Sequence, residues 1–150
     1  MVPEKLDLAR ALGATDAVDG STGDSVAQVK ELTDGGVDYA FSAITSPQGL
    51  VDAVRMCAYA GVATLVGVPP PGRTLDLDPE RDLFNTKVSL AVTHGGDTIP
   101  QQDFPFLAQA ALDGRIDLAS FVTRTVALED VPQVLRDLHT PSGVRTVVLL

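Results

Sequence analysis

Apolar and polar positions fall into blocks along this chain, and the clearest block runs from Gly35 to Gly72. Val37 to Ile44 is a nearly continuous apolar run, bounded by Gly35-Gly36 and by Thr45-Ser46-Pro47; it predicts a buried strand. Ser46 suits a helix N-cap, and Pro47 suits the first turn, where the amide it lacks would be unpaired anyway. Leu50, Val54 and Cys57 then recur at helical spacing, and Gly61 predicts a left-handed stop. Val62 to Val68 is a second buried-type strand, ended by Pro69-Pro70-Pro71-Gly72. Strand, helix and strand within about 30 residues predict a βαβ unit. Such a unit belongs to a parallel sheet with helices on both faces.

The flanking segments carry weaker patterns. Pro3 and Glu4 suit a first helical turn, Leu8, Ala9 and Leu12 form its apolar stripe, and Gly13 stops it. Asp16-Ala17-Val18 predicts a short strand. Asp24 or Ser25 caps a helix carrying Val26, Val29 and Leu32, closed by Gly35. Leu75 and Leu77 alternate with Asp76 and Asp78, a faint strand signal, and Asp78-Pro79 opens a short helix through Phe84. In Lys87 to Thr93, Val88, Leu90 and Val92 alternate with Ser89, Ala91 and Thr93. That spacing predicts a strand with one buried face, ended by a His94-Gly95-Gly96 turn. Asp103 to Leu112 predicts a helix with Phe106, Leu107, Ala110 and Ala111 inward, Phe121 to Ala127 a strand, Val131 to Leu138 a helix, and Arg145 to Leu150 a buried strand.

Composition narrows the class without changing this picture. The chain has 150 residues, 45% hydrophobic and 21% charged, enough for one domain with a real core and too apolar for disorder. A net charge of −9 opposes nucleic acid and anionic membrane as partners. No apolar run reaches the roughly 18 residues of a membrane span, and no signal-peptide pattern opens the chain. The single cysteine, Cys57, forbids an internal disulfide framework and a cysteine-rich zinc site. These features together predict a cytoplasmic protein.

The strings KLDLARALGATDAV, GGVDYAFSAI, GVATLVGVPPPG and GVRTVVLL, in this order and spacing, resemble the zinc-type, medium-chain alcohol dehydrogenase superfamily. The resemblance covers essentially all of the chain. It implies a truncated dinucleotide-binding domain over residues 1–150, an incomplete doubly wound (Rossmann-type) parallel α/β sheet, and NAD or NADP as cofactor. It departs from the family at Ser42 and Thr45, where relatives often carry an acidic residue and a glycine, and at His94, where a bulky apolar or aromatic residue is frequent. The family's phosphate-binding GxGxxG turn occurs nowhere in these residues. Its zinc ligands belong to a separate catalytic domain that the strings do not match.

The resemblance also assigns positions. Lys5 corresponds to the lysine beside the adenosine ribose, and Ala43 and Ile44 to the wall beside adenine and its ribose. Val66, Gly67 and Val68 correspond to the nicotinamide lining, and the main chain at Val92 and His94 to the segment that orients the carboxamide. Arg145 resembles the arginine that reaches the pyrophosphate. Read from the residues alone, Lys5 is a solvated helix charge and Arg145 a partner for a surface carboxylate. His94 has no serine and carboxylate companions that would make it catalytic. His139 reads as a helix C-terminal dipole partner, Cys57 as inert core, and the Asp76/Asp78 and Asp16/Asp19 pairs lack the pattern of a metal site. No catalytic residue and no metal ligand is assigned.

Two functions fit. One is a piece of an NAD(P)-dependent alcohol dehydrogenase-like oxidoreductase, inactive alone, with a small-molecule substrate in the full-length family. The other is a non-enzymatic module that forms a homodimer through Lys87 to Thr93, the segment similar to the family's subunit contact. The family's strand order, 3-2-1-4-5-6, with its first two strands missing, predicts a three-stranded core of Val37–Ile44, Val62–Val68 and Arg145–Leu150. It also predicts that the strand at Ala17 either moves in beside Val37–Ile44 or leaves residues 1–35 loosely packed.

Overall fold

The computed structural model describes residues 3–137 and 145–150. In chain order the elements are α1 (Pro3–Ala11), α2 (Ser25–Leu32), β1 (Val37–Ser42), α3 (Pro47–Met56), β2 (Cys57–Leu65), β3 (Ser89–Val92), α4 (Pro100–Leu112), β4 (Val122–Ala127), α5 (Val131–Asp137) and β5 (Arg145–Leu149). A π-type helical turn at Pro79–Phe84 lies between β2 and β3. The chain divides into two compact units, Val18–Thr98, and Met1–Ala17 together with Ile99–Leu150. Among the described residues no helix is long and apolar enough to cross a membrane.

The Val18–Thr98 unit holds a three-stranded parallel sheet in the order β1-β2-β3. As the patterning predicts, α3 links β1 to β2 with Pro47 in its first turn, and Leu50, Val51 and Val54 are each at most 2% exposed. Burying each such side chain contributes about 1.5–3 kcal/mol. Asp24 caps α2 by accepting from the amides of Val26 and Ala27, at 3.0 and 3.1 Å. The core joins Ala40, Ala53, Val54, Cys57, Ala63 and Val88, with Val37, Leu77 and Leu83 against it.

The third strand corrects the expectation. It is β3, paired from Val62↔Ser89 to Leu65↔Val92, and not the C-terminal run. The connection from Val66 to Val88 is long enough for a parallel return. Its helical turn packs Leu83 on the same core as α3, so the chain comes back beside β2. Arg145–Leu149 pairs instead with β4, in parallel, across α5. No strand forms at Asp16–Val18 or at Leu75–Leu77, so nothing from the first of these joins β1. The elements described here cover the α3 side of the sheet. The opposite face shows where the winding is incomplete, with Tyr39 and Phe41 at 68% and 69% exposure.

Smaller corrections have local causes. Cys57 begins β2 rather than ending α3, and its thiol donates to the Ala53 carbonyl at 3.3 Å. Burial pushes that thiol's pKa up. The left-handed residue after α3 is Ala60 (φ 61°), not Gly61. Gly61 is needed for close approach instead, since a Cβ there would lie 3.0 Å from both Cys57 Cβ and the Val37 carbonyl oxygen.

In the other unit, α4 starts at Pro100, and the Asp103 carboxylate reaches back to the Ile99 amide at 2.7 Å. Phe106 and Leu107 are exposed, not inward, and Ala110 alone of that predicted stripe is buried. The Phe106 ring lies under the Arg115 guanidinium, 5.5 Å away, which gives it a cation–π partner in place of a core. Leu149 and Val148 are exposed as well, because the β4–β5 sheet has two strands. His139 and Leu138 lie outside the described residues.

A buried carboxylate closes the β2–β3 crossover onto α3. Asp82, 5% exposed, accepts from Arg55 Nε and Nη2 (3.3 and 3.0 Å), from Arg81 Nε and Nη2 (2.8 and 3.0 Å) and from the Asp78 amide (3.0 Å). The Arg81 hydrogen bonds, then those of Arg55, hold its pKa far below the usual carboxylate range. A depressed native pKa stabilises the fold in full above the unfolded value, near 4, and loses that contribution as pH falls toward the native value. Asp82→Asn should therefore cost about 3 kcal/mol near neutrality, the low end for a broken buried pair because Arg81 is largely solvated. Thermal melts from about pH 7 to about pH 2 should show wild type and variant converging below about pH 4; a gap that stays constant with pH contradicts this.

Candidate functional site

The Val18–Thr98 unit brings several of the assigned positions together by backbone geometry. Three parallel strands end on one side of the sheet, and the residues just past those ends become neighbours. Ala43 and Ile44 follow β1, Val66, Gly67 and Val68 follow β2, and Val92 closes β3 with His94 beyond it. The amides of Val66 and Gly67 both donate to the Ser42 carbonyl, at 3.0 and 2.9 Å, and the Thr93 amide donates to the Leu65 carbonyl at 3.1 Å. These bonds carry the parallel register one step past each strand.

Gly67 sits where no side chain fits. A Cβ there would lie 2.6 Å from the Ile44 carbonyl carbon and 3.0 Å from that of Ala43. The two strand ends therefore touch backbone to backbone. Ile44 in turn lays its side chain on Gly49 in the first turn of α3, where a Cβ would lie 2.6 Å from Ile44 Cγ1. The outer surface is apolar and accessible: Ile44, Val66, Val68 and Val92 are 56%, 39%, 69% and 74% exposed. Such a surface can hold a flat ring by contact. It offers nothing that moves a proton.

His94 is exposed, and its place is fixed through main chain. Its amide donates to Asp97 Oδ1 at 3.4 Å and its carbonyl accepts from the Asp97 amide at 3.2 Å. Lys5 on α1 and Arg145 at the start of β5 belong to the other unit, both exposed. The Arg145 main chain bonds Thr123 Oγ1 on both its amide and its carbonyl, at 3.3 Å each. Its guanidinium has no ion-pair partner among the described residues.

Sequence reasoning missed three features of this unit. Gly49 is one, a seat for Ile44 that looks like an ordinary helix glycine. Ser42 is another: it is 5% exposed, and its Oγ has no hydrogen-bond partner among the described residues, a burial that costs about 1–3 kcal/mol. The departure at Ser42 was the available signal. The Arg55–Asp82–Arg81 cluster is the third, and residues 27 apart in sequence give no local sign of meeting. Among the described residues, no three histidine, cysteine, aspartate or glutamate side chains come together as a metal would need. The donors present do not fit a zinc ion.

Comparison with known proteins gives the chain a family. The Zinc-binding dehydrogenase family matches residues 1–113, most of the chain, and the chain belongs to that family. It is 29% identical over 150 residues to an S-(hydroxymethyl)glutathione dehydrogenase of Synechocystis, covering 97% of this chain and 40% of that protein. Among solved structures, an alcohol dehydrogenase zinc-binding domain protein from Burkholderia ambifaria is 30% identical with a TM-score of 0.90. Benzyl alcohol dehydrogenase from Acinetobacter calcoaceticus is 28% identical with a TM-score of 0.91. Each covers 99% of this chain and 40% of its own. The chain thus spans about 40% of the length of the relatives it matches.

The strand-end contact yields a direct test. Gly67→Ala should force the Ala43–Ile44 backbone outward and lower stability by about 1–3 kcal/mol. Thermal melting reads the loss, and amide shifts should concentrate at residues 42–45 and 66–68. An unchanged melting temperature contradicts the contact.

Proposed function

From membership of that family we propose that the strand ends of the Val18–Thr98 unit form one wall of a dinucleotide site, and that residues 1–150 act as a truncated dinucleotide-binding domain of an alcohol dehydrogenase-like oxidoreductase. The observation that supports this most is the convergence of Ala43, Ile44, Val66, Gly67, Val68, Val92 and His94 at and just beyond the C-terminal ends of parallel strands. Open α/β sheets take their ligands there. The cofactor would be NAD or NADP, which supplies the hydride acceptor when bound. In this reading Ala43 and Ile44 flank adenine and its ribose, and Val66 to Val68 lie along the nicotinamide. The main chain at Val92 and His94 orients the carboxamide. Lys5 at the ribose and Arg145 at the pyrophosphate rest on the resemblance alone.

The substrate of the whole protein would be an alcohol or aldehyde. No residue described here touches that chemistry, and no step is assigned to zinc. A cytoplasmic setting accords with the single cysteine and with this cofactor. The chain by itself should bind NADH or NADPH with a dissociation constant in the millimolar range or weaker, about 4 kcal/mol or less. It contributes an apolar wall without a phosphate-binding turn, and it should oxidise no primary alcohol. Calorimetry giving a micromolar constant, or measurable turnover, overturns this reading.

A second reading has its own observation. β3 is an edge strand, and Leu90 and Val92 are 43% and 74% exposed, where the alternation alone predicted burial. Only Val88 of that stripe reaches the core. An open edge with apolar side chains is a template for pairing, which supports a two-fold homodimer through Lys87 to Thr93. Light scattering at tens of micromolar should give a dimer mass that Leu90→Lys reduces to the monomer. A wild-type monomer at that concentration refutes the dimer.

A further inference from the structure

A cavity of about 420 Å³ opens at the other end of the same sheet, where β2 begins. Its floor is apolar, made by Val26, Val54 and Cys57, and its rim carries Lys30, Arg55 and Arg81. The carboxylate of Asp82 lies in the same wall. The lining sets three cations against one carboxylate on a chain whose net charge is −9, with the Asp78 and Asp76 carboxylates acting on Arg81 from outside it.

The carboxylate does more than offset charge. It binds Nε and Nη2 of each guanidinium, and the remaining Nη2 bond of Arg55 goes to the Asp76 carbonyl at 3.2 Å. Nη1 of each arginine has no partner among the described residues. The Lys30 ammonium has none either. A buried anion thus fixes two guanidiniums while leaving donors on both unused, an arrangement that lowers the ordering cost of binding. Arginine donors held in this way favour planar or tetrahedral oxyanions. The volume falls in the range of small-ligand sites, and the apolar floor takes a body that water would otherwise cover.

We infer that this cavity binds a small phosphate monoester with a compact apolar body, its dianionic head among Lys30, Arg55 and Arg81 and its body on Val26, Val54 and Cys57. The unused Nη1 donors of two guanidiniums, with an ammonium, match a dianion better than a single carboxylate charge. The site is separate from the strand ends and stands whether or not a dinucleotide binds there.

The test is a titration of the full chain followed by ¹⁵N–¹H spectra, with phenyl phosphate, inorganic phosphate, benzoate and phenol as probes. Phenyl phosphate should shift the amides of Lys30, Arg55 to Cys57 and Arg81 to Thr86. It should bind about ten-fold tighter than inorganic phosphate or benzoate, and phenol should leave those amides in place. Lys30→Gln removes a side chain without hydrogen bonds, so the spectrum should stay folded while affinity falls at least about five-fold. Arg81→Gln should weaken binding comparably and serves as the second variant. Shifts confined to Ile44 and Val66 to Val68 overturn the inference, as do equal affinities for phenyl phosphate and inorganic phosphate. Retained affinity in both variants does the same.

Discussion

The Asp82 carboxylate is the interaction on which the Val18–Thr98 unit depends. An ionised group with 5% exposure is costly unless its lone pairs are filled. Here two guanidiniums and an amide fill them. Arg55 comes from α3, while Asp78, Arg81 and Asp82 come from the β2–β3 crossover. The bonds therefore fasten the second crossover to the helix of the first. Both then lie on one face of the sheet, β3 falls beside β2, and the three C-terminal strand ends align. The bare opposite face with Tyr39 and Phe41 follows from the same arrangement.

What those strand ends can do follows from what they are made of. Their contacts are backbone contacts: Gly67 against Ala43 and Ile44, and paired amides on the Ser42 carbonyl. Backbone packed this closely has little freedom to adjust, so in the proposed site it would set the position of a bound ring without titrating or donating protons. The side chains above it are aliphatic. A site of this kind orients a cofactor by shape. Acid–base and Lewis-acid work would have to come from groups other than Ala43, Ile44, Val66, Gly67 and Val68.

Much of this unit was legible because it is locally encoded. The apolar spacing of Leu50 and Val54, the Pro47 start, the Asp24 cap and the continuous run from Val37 are short-range signals, and each element formed near its expected bounds. The neighbour of β2 was not legible. Ser89–Val92 and Arg145–Leu149 are both short apolar runs, and a period of two says which side chains share a face, not which strand lies alongside. That choice was made by Leu83 and Asp82, inside a crossover whose sequence gave only a cap and a proline. The stop after α3 shows the same limit on a smaller scale. A glycine at that point suggested a left-handed turn, but packing against Val37 demanded a missing Cβ at Gly61 and moved the positive φ to Ala60. The site residues were all assigned by the resemblance, and only those next to strand ends also stand where the pattern shows a strand stopping. Lys5 and Arg145 had only the resemblance behind them, and the structure sets both in the other unit.

The two ends of the sheet differ in chemistry. At the C-terminal ends the surface is apolar and the backbone carries the geometry; at the start of β2 the surface is cationic and side chains carry it. The common link is α3. Its first turn seats Ile44 through Gly49, and its last turn supplies Arg55 to Asp82. A helix buried along Leu50, Val51 and Val54 has little room to shift. Val54 and Arg55 line the cationic cavity, and Gly49 of the same helix lies under Ile44. The fold thus connects two surfaces of opposite chemistry through a single packed element, with Asp82 and Gly49 as its two points of attachment.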